Sequence, residues 1–183
     1  MELRTDRLIL RQWRQDDREP FARMNANPEV MRFFPSTLSR EQSDAFADRI
    51  DSHFAKHGYG LWAVEIPRVT PFAGYVGLAA YDFPTHFTPA VEIGWRLDRT
   101  YWGRGYATEA ARAALADGFQ RAGLREVVSF TIPINLASIR VMEKLGMRYS
   151  EAFEHPGIEP GHALRTHVLY RLSRGEWLSS LPS

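Results

Sequence analysis

The sequence predicts a mixed α/β fold whose sheet is mostly antiparallel, and three observations support this. Strand candidates at residues 61–66, 72–81 and 90–97 follow one another with connections too short for crossover helices, so they should run antiparallel. An amphipathic helix at 106–122 then leads to a buried strand at 126–132, which should lie parallel to strand 90–97. With the terminal strands added, we expect six to seven strands, about four helices and one central parallel β-α-β crossing.

The N-terminal segments alternate a strand with short helical turns. Residues 7–13 (RLILRQW) form the first strand, and residues 16–25 (DDREPFARMN) form a short helix with Asp16 or Asp17 near its N-cap. Residues 28–35 (PEVMRFFP) are predicted as a turn of helix between two prolines.

A longer helix within residues 38–58 is indicated by its caps and its apolar residues. Ser39 and Gln42 have the spacing of a capping box, and Gly58 ends the segment. An apolar stripe recurs every four residues, at Phe46, Ile50 and Phe54.

The C-terminal part closes the sheet. Residues 135–145 form a second helix after strand 126–132, and Gly146 stops it. Residues 147–153 (MRYSEAF) and 165–172 (RTHVLYRL) are predicted as two antiparallel strands.

Composition narrows the class of protein. The 183 residues suit one domain spanning 1–183, with 44% hydrophobic and 25% charged residues. A net charge of +1 provides no overall field for nucleic acid or a membrane, so neither is expected as a partner. The absence of cysteine excludes disulfides, thiolate metal sites and a cysteine nucleophile, and it fits a cytoplasmic location.

Neither a signal peptide nor a metal site is expected. The first ten residues, MELRTDRLIL, carry charge throughout, and no apolar run approaches the length of a membrane span. His53 and His57 lie four residues apart but lack the glutamate of an HExxH motif, so we interpret them as surface residues.

The stretch YWGRGYATEA, residues 101–110, places two glycines at the start of the helix 106–122. It lacks the GxxxxGK[ST] pattern of ATP-type phosphate loops, and Thr108 stands where a dinucleotide fingerprint has its third glycine. The antiparallel strands before it also argue against a Rossmann domain.

Two interpretations of this turn stand. Gly103 and Gly105 can serve a backbone that needs glycine dihedrals and nothing more. Alternatively, free amides at a helix N-terminus, close backbone approach and the nearby Arg99 and Arg104 form a pyrophosphate site.

The segment from Trp102 to Ala107, WGRGYA, resembles the acyl-CoA-binding motif of the GNAT superfamily of N-acetyltransferases, Gln/Arg-x-x-Gly-x-Gly/Ala. Trp102 departs from the first position, but tryptophan there is common in the branch that includes ribosomal-protein N-terminal-alanine acetyltransferases. Residues 3–17, 90–110 and 135–149 resemble the opening strand, core motif and second helix of that branch, so the resemblance covers nearly the whole chain.

The resemblance implies acetyl-CoA as cosubstrate. Amides around Trp102 to Ala107 would hold the pyrophosphate, and the pantetheine arm would lie where strands 90–97 and 126–132 splay apart. A backbone N–H near Trp95 to Leu97 would donate to the thioester oxygen. The predicted cosubstrate-binding residues are Trp95, Arg96, Leu97, Trp102, Gly103, Arg104, Gly105, Tyr106, Ala107, Thr108, Asn135, Ser138, Arg140 and Lys144.

Four residues of the second helix each have two interpretations. Asn135 and Ser138 suit a plain N-cap, while the resemblance implies that Asn135 touches the pantetheine and Ser138 lies near the thiol. Arg140 and Lys144 either meet the 3′-phosphate end of CoA or are solvated charges.

Amine acetylation needs a base, because amines are mostly protonated at neutral pH. Glu92, in the middle of strand 90–97, is the first candidate, although a solvent-facing carboxylate is the alternative; Glu154 and Glu159 follow. Met142 occupies the position of the tyrosine acid that many members use, so Ser138 is the candidate proton donor. Without cysteine, direct attack in a ternary complex is expected.

The resemblance implies an amine acceptor, either a protein N-terminus or a small-molecule amine, and its site is predicted from two aromatic segments, residues 31–35 and 81–90. Phe33, Phe34, Phe83 and Phe87 would form an apolar mouth, or would simply pack in the core. A monomer or homodimer is expected. The alternative function is an acyl-CoA-binding sensor domain of the same fold without catalysis.

Overall fold

The computed structural model describes residues 1–181, which form one eight-stranded sheet with helices on both faces. The strands are β1 (Glu2–Arg4), β2 (Ile9–Arg11), β3 (Leu61–Ile66), β4 (Thr70–Tyr81), β5 (Ala90–Leu97), β6 (Glu126–Thr131), β7 (Arg148–Glu154) and β8 (Thr166–Ser173). The helices are α1 (Arg18–Ala26), α2 (Arg40–His57), α3 (Tyr106–Gln120), α4 (Leu136–Lys144) and α5 (Arg174–Ser179).

The order of strands is β1-β2-β3-β4-β5-β6-β8-β7, and every neighbouring pair is antiparallel except β5 with β6. The predicted fold class is therefore confirmed, including the central crossing β5-α3-β6. The capping box of α2 is also confirmed, since the Ser39 hydroxyl accepts from the Gln42 N–H.

The structure has one strand and one helix more than the sequence indicated. The predicted strand 7–13 is ordered as a strand only at Ile9–Arg11, and a tight turn pairs it with Glu2–Arg4. In that turn the Thr5 N–H donates to the Leu8 carbonyl over 3.0 Å. Helix α5 begins at Ser173, which forms a capping box with Glu176, a spacing that was readable in the sequence.

The two faces of the sheet bury separate sets of side chains. Helices α3 and α4 cover the α3 face, where Ile93 and Leu97 of β5 join the main core. Helices α1 and α2 cover the α1/α2 face, where Tyr75 of β4 packs with Phe21 of α1. A third cluster around Val128 lies on β6 and β8.

A buried ion pair anchors the start of α1. Arg11 is 4% exposed, and its Nη1 and Nη2 donate to the Asp17 carboxylate over 2.7 and 2.8 Å. Its Nε donates to Glu65 on β3 over 2.9 Å. Asp17 is the N-cap residue of α1, but its carboxylate serves Arg11 and the Arg14 N–H instead of capping the helix.

The surface interpretation of the histidine pair is wrong for His53. Its Nε2 accepts from the Ala80 N–H and its Nδ1 lies 2.9 Å from the Tyr59 carbonyl, so His53 connects the end of α2 to β4. Burial and the neighbouring His57 lower its pKa. Within residues 1–181 we find no cluster of residues able to hold a metal ion, and no helix with the length and apolarity of a membrane span.

Candidate active site

The glycine turn forms a cradle of free backbone amides at the start of α3. Gly103 and Gly105 have φ values of 72° and 81°, in the left-handed region, and Gly105 is the N-cap residue of the helix. Within the described part of the chain, none of the N–H groups of residues 103–108 donates a hydrogen bond. Six unpaired donors at a helix N-terminus provide a site for an anion such as a pyrophosphate.

The cradle is braced by Arg7, which the sequence did not point to. Its Nη1 donates to the Arg104 carbonyl over 3.0 Å, and its guanidinium lies over the Tyr106 ring at 4.7 Å. Its Nε donates over 2.6 Å to Glu109, in the first turn of α3. The Thr5 hydroxyl donates to the same carboxylate, and these hydrogen bonds outweigh burial, so the pKa of Glu109 is lowered. The contact spans 102 residues, which explains why no local motif indicates it.

A groove of about 660 Å³ runs from the cradle along α3, between the turn that joins β1 to β2 and the end of α4. Gly105, Thr108 and Lys144, which are predicted to bind the cosubstrate, line this groove together with Arg112, which the sequence analysis did not name. Arg140 is exposed and is not among the residues that line the groove. Arg7 and the acidic Asp6 and Glu109 also line the groove, and Arg7 is paired with Glu109. Arg112 and Lys144 therefore supply the cations of the groove that have no acidic partner in the described chain, which suits an anionic ligand.

The residues beside the cradle are engaged with protein. Trp102, which departs from the family motif, donates its indole Nε1–H to the Leu97 carbonyl over 2.8 Å and so holds the end of β5 against the turn. Arg99 pairs with Glu29, and Arg104 is exposed. The cradle therefore depends mainly on main-chain donors, with its cations supplied from α3 and α4.

Strands β5 and β6 are splayed. All eight residues of β5 pair with β4, whereas Glu92 with Val128 is the single registered pair between β5 and β6 in the described chain. Beyond that pair, the Ser129 hydroxyl donates to the Ile93 carbonyl over 2.9 Å. The backbone of β5 from Gly94 to Leu97 therefore has no β6 partner, which supports the predicted opening for an extended chain.

Ser138 lies at this opening and is held by two donors. Trp95 Nε1 and Asn135 Nδ2 lie 3.3 and 3.0 Å from its Oγ. The Asn135 side chain also accepts from the Ser138 N–H, as an N-cap does, and reaches Thr131 Oγ1 over 2.9 Å. Because both neighbours donate to it, the Ser138 hydroxyl hydrogen is free to point to a ligand. The predicted tyrosine position, Met142, is buried in the core of the α3 face.

Glu92 projects from the α1/α2 face of β5, opposite Ile93. Glu92 is half-buried, and desolvation raises its pKa to about 8, against the opposing effects of the Tyr81 hydroxyl and the Phe130 backbone N–H. Gly94, the next residue on this face, has open space where a Cβ would be. A carboxylate with a near-neutral pKa therefore borders an unfilled space at the splay, as a general base requires.

The other candidate bases lie elsewhere. Glu154 is exposed at the end of β7, where Arg165 Nε lies 3.0 Å from it and the Thr166 hydroxyl donates to it. Glu159 is exposed in the loop between β7 and β8. Because β6 and β8 separate β7 from β5, the structure does not bring Glu154 together with Glu92.

The four predicted aromatic residues fall into two groups. Phe83 and Phe87 join an aromatic cluster with Phe130, whose ring lies 5.9 Å from that of Phe83. Phe34 is 41% exposed and lies 4.2 Å from the guanidinium of Arg96. The four rings therefore do not form one mouth: Phe83 and Phe87 pack in the third cluster, while Phe33 and Phe34 lie on the turn after α1.

Arg96 does not reach the cosubstrate groove with its side chain. It alternates with Trp95 and Leu97, so its guanidinium lies on the α1/α2 face, where Nη1 donates to Asn25 Oδ1 over 2.7 Å. If Arg96 contacts the cosubstrate, it would therefore do so through its backbone, which borders the opening between β5 and β6.

Comparison with known proteins identifies the family. The family model described as "Acetyltransferase (GNAT) domain" matches residues 7–148. The chain is 33% identical to the YkkB protein of Bacillus subtilis over 82% of this chain and 87% of that protein. It is 31% identical to the FsC-acetyl coenzyme A-N(2)-transacetylase of Aspergillus fumigatus, over 96% of this chain and 77% of the relative.

Solved structures agree with this architecture. A GNAT-family acetyltransferase from Bacillus anthracis superposes with a TM-score of 0.78 at 26% identity, covering 96% of this chain and 99% of that one. The ribosomal-protein-S5-alanine acetyltransferase of Vibrio fischeri has a TM-score of 0.76 at 19% identity, covering 97% and 98%, and shares the fold. The chain therefore belongs to the GNAT family and is an acetyl-CoA-dependent acyltransferase.

Proposed function

We propose that this protein transfers an acetyl group from acetyl-CoA to a primary amine by direct attack in a ternary complex. The observation that carries this proposal is Glu92, a carboxylate with a pKa of about 8 beside the open space at Gly94. The relative from Aspergillus fumigatus is named as an N(2)-transacetylase, which supports a nitrogen acceptor here.

The cosubstrate would bind through this chain's amides and cations. Free N–H groups of residues 103–108 would hold the pyrophosphate, with Arg112 and Lys144 along the groove. An unpaired N–H of β5 between Trp95 and Leu97 would donate to the thioester oxygen and more strongly to the oxyanion that develops on it.

Glu92 would take the proton of the acceptor amine. Its raised pKa means that it is mostly protonated at neutral pH in the free enzyme and becomes an effective base as the pH approaches 8. A bound ammonium would favour the ionised carboxylate through its opposite charge, so the acceptor itself assists the loss of that proton. The Tyr81 hydroxyl beside the carboxylate would orient it.

Ser138 would assist departure of the thiolate. Its oxygen is held by Trp95 and Asn135, so its hydroxyl hydrogen is available for a developing negative charge on sulfur. Departure without a proton donor is the alternative for a thiolate, and the Ser138→Ala variant distinguishes the two.

We expect the acceptor to be either a protein N-terminus or a small amine. A protein N-terminus follows from the resemblance to N-terminal-alanine acetyltransferases, and a structural neighbour carries such a name at 19% identity. Small amines remain the second class. Thiol release from acetyl-CoA should be measured across N-terminal peptides and small amines. Acetyl-CoA binding without thiol release by any acceptor would overturn catalysis and favour a binding-only domain.

A further inference from the structure

Arg96 is a buried cation with no acidic partner. The residue is 8% exposed, and its one hydrogen bond within the described chain joins Nη1 to the Asn25 amide oxygen over 2.7 Å. Its Nε is enclosed by protein and donates to no atom. Buried arginines normally pair with carboxylates, because an unpaired charge away from water is strongly unfavourable.

Arg11, which is also buried, is by contrast fully paired with carboxylates. Arg11 directs both terminal nitrogens to Asp17 and its Nε to Glu65, so each side of its guanidinium faces a carboxylate. On Arg96 the edge formed by Nε and Nη2 has no protein acceptor. That edge is the fork that binds a carboxylate through two parallel hydrogen bonds.

Arg96 lies on the same face of β5 as the candidate base. Glu92, Gly94 and Arg96 alternate along that face, which puts the Cα atoms of Glu92 and Arg96 about 13 Å apart. Between them a Cβ on Gly94 would meet nothing within 4 Å. Tyr75 lies beside both charges: Arg96 acts to lower its pKa and Glu92 to raise it, while burial dominates and raises it.

Aromatic rings cover the guanidinium in the free enzyme. Phe34, Phe46 and Tyr75 lie 4.2, 5.9 and 5.5 Å from it, measured from the guanidinium carbon to each ring centre. Phe46 and Tyr75 belong to the cluster between α2 and the sheet, whereas Phe34 is 41% exposed on the turn after α1. Of these three rings Phe34 is the exposed one, so its rotation is the movement that we expect to uncover the guanidinium.

We propose that Arg96 binds a carboxylate of the acceptor, so that the substrates are amines that also carry a carboxylate. The carboxylate would lie on the Nε–Nη2 edge and the amine near Glu92, with the body of the acceptor over Gly94. This inference rests on the proposed amine acetylation, whose acceptor it narrows.

The direct test measures binding, which does not need turnover. The wild-type protein with CoA is titrated with ω-amino acids of increasing chain length, each paired with its carboxamide, and Tm is followed. We expect the acids to raise Tm at concentrations about tenfold lower than the amides, since a charge-assisted pair is lost in the amide. In Arg96→Met the difference between acid and amide should vanish. Equal binding of acids and amides by the wild type, or a preference that survives in Arg96→Met, would overturn the inference.

A second variant guards against misfolding of Arg96→Met. Asn25→Asp would place a carboxylate beside Nη1 and neutralise Arg96 within the protein, while Ser43 could still hydrogen bond to that side chain. We expect this variant also to lose the preference for acids. Thiol release by the same acceptors tests the proposed function separately. If the amides are acetylated as efficiently as the acids, the role of Arg96 is wrong but the proposed function stands. If the acids bind but are never acetylated, the proposed catalysis is wrong but the role of Arg96 in binding stands.

Discussion

The two faces of β5 are built differently, although the same eight residues supply both. On the α3 face Ile93 and Leu97 are buried in the main core, and Trp95 holds Ser138 at the splay. On the α1/α2 face stand Glu92, Gly94 and Arg96: a carboxylate, an empty position and a cation.

This difference suggests that the α3 face of β5 serves mainly to hold the fold together, whereas the α1/α2 face provides the space in which we expect the reaction to occur. Apolar packing on the α3 face positions α3 and its amide cradle, while the α1/α2 face leaves room beside the half-buried Glu92 and the buried Arg96. A buried charge that the fold does not need for packing indicates a functional group, because its desolvation is not offset by apolar contacts. The following variants test that division of roles.

The largest effect is expected from Glu92→Gln, which removes the proposed base while nearly keeping its shape. We expect kcat to fall by about 10²- to 10⁴-fold with little change in acetyl-CoA affinity, measured by thiol release and by titration with CoA. Glu154→Gln is the matched control, because Glu154 is exposed and engaged with Arg165. Equal losses in the two variants would remove Glu92 from the chemistry.

The pH dependence should follow the same carboxylate. The base acts when deprotonated, and the pKa of Glu92 is raised to about 8, so kcat/KM should rise about tenfold per pH unit below that value and level off above it. In Glu92→Gln this rise should flatten. A wild-type profile already level at pH 6 would assign the base to another group.

Two glycines opposite each other in β4 and β5 test the empty position. A Cβ on Gly94 meets open space, whereas one on Gly77, its partner in register, would lie 2.1 Å from the Gly60 carbonyl oxygen. Gly94→Ala should keep the free energy of unfolding and raise the acceptor KM several-fold. Gly77→Ala should instead lower the free energy of unfolding by about 2–4 kcal/mol. An unchanged acceptor KM in Gly94→Ala would mean that the acceptor does not cross this face.

On the α3 face, Ser138→Ala removes the hydroxyl but keeps the N–H that Asn135 caps. We expect kcat to fall about five- to tenfold, a loss smaller than general-acid catalysis at its strongest, because a thiolate leaves readily. The helical signal in circular dichroism should be unchanged. Wild-type kcat in this variant would show that the thiolate leaves unaided.

The smallest effect is expected in the groove. Lys144→Ala should weaken CoA binding about threefold, and less at high salt, because an exposed cation is screened. Arg140→Ala is its control, since Arg140 is exposed on the same helix but does not line the groove. The two variants should therefore differ in CoA affinity by isothermal titration.

Local patterns in the sequence were sufficient for most elements. Ser39 with Gln42, and Asn135 with Ser138, are caps that act over three residues, and both are present in the structure. Helix α5 was missed although Ser173 and Glu176 have the same spacing. The glycine turn before α3 was also readable, because its positive φ angles favour glycine and the helix behind it provides free amides.

Contacts between distant segments were not readable in the same way. Arg7 reaches the cradle from 102 residues before Glu109, and His53 joins α2 to β4, so neither role has a local spacing. The face on which Arg96 lies follows from alternation along β5, but its contacts with Asn25 and Phe34 join distant segments and could not be read locally.

The sequence by itself determined the order of elements, the central β5-α3-β6 crossing and the amide cradle. These follow from periodicity, caps and glycine, which act between residues a few positions apart. The tertiary structure decided which charges are buried and which remain unpartnered. The raised pKa of Glu92 and the unpartnered Nε of Arg96 both depend on burial, which is a property of the packed chain rather than of any local stretch.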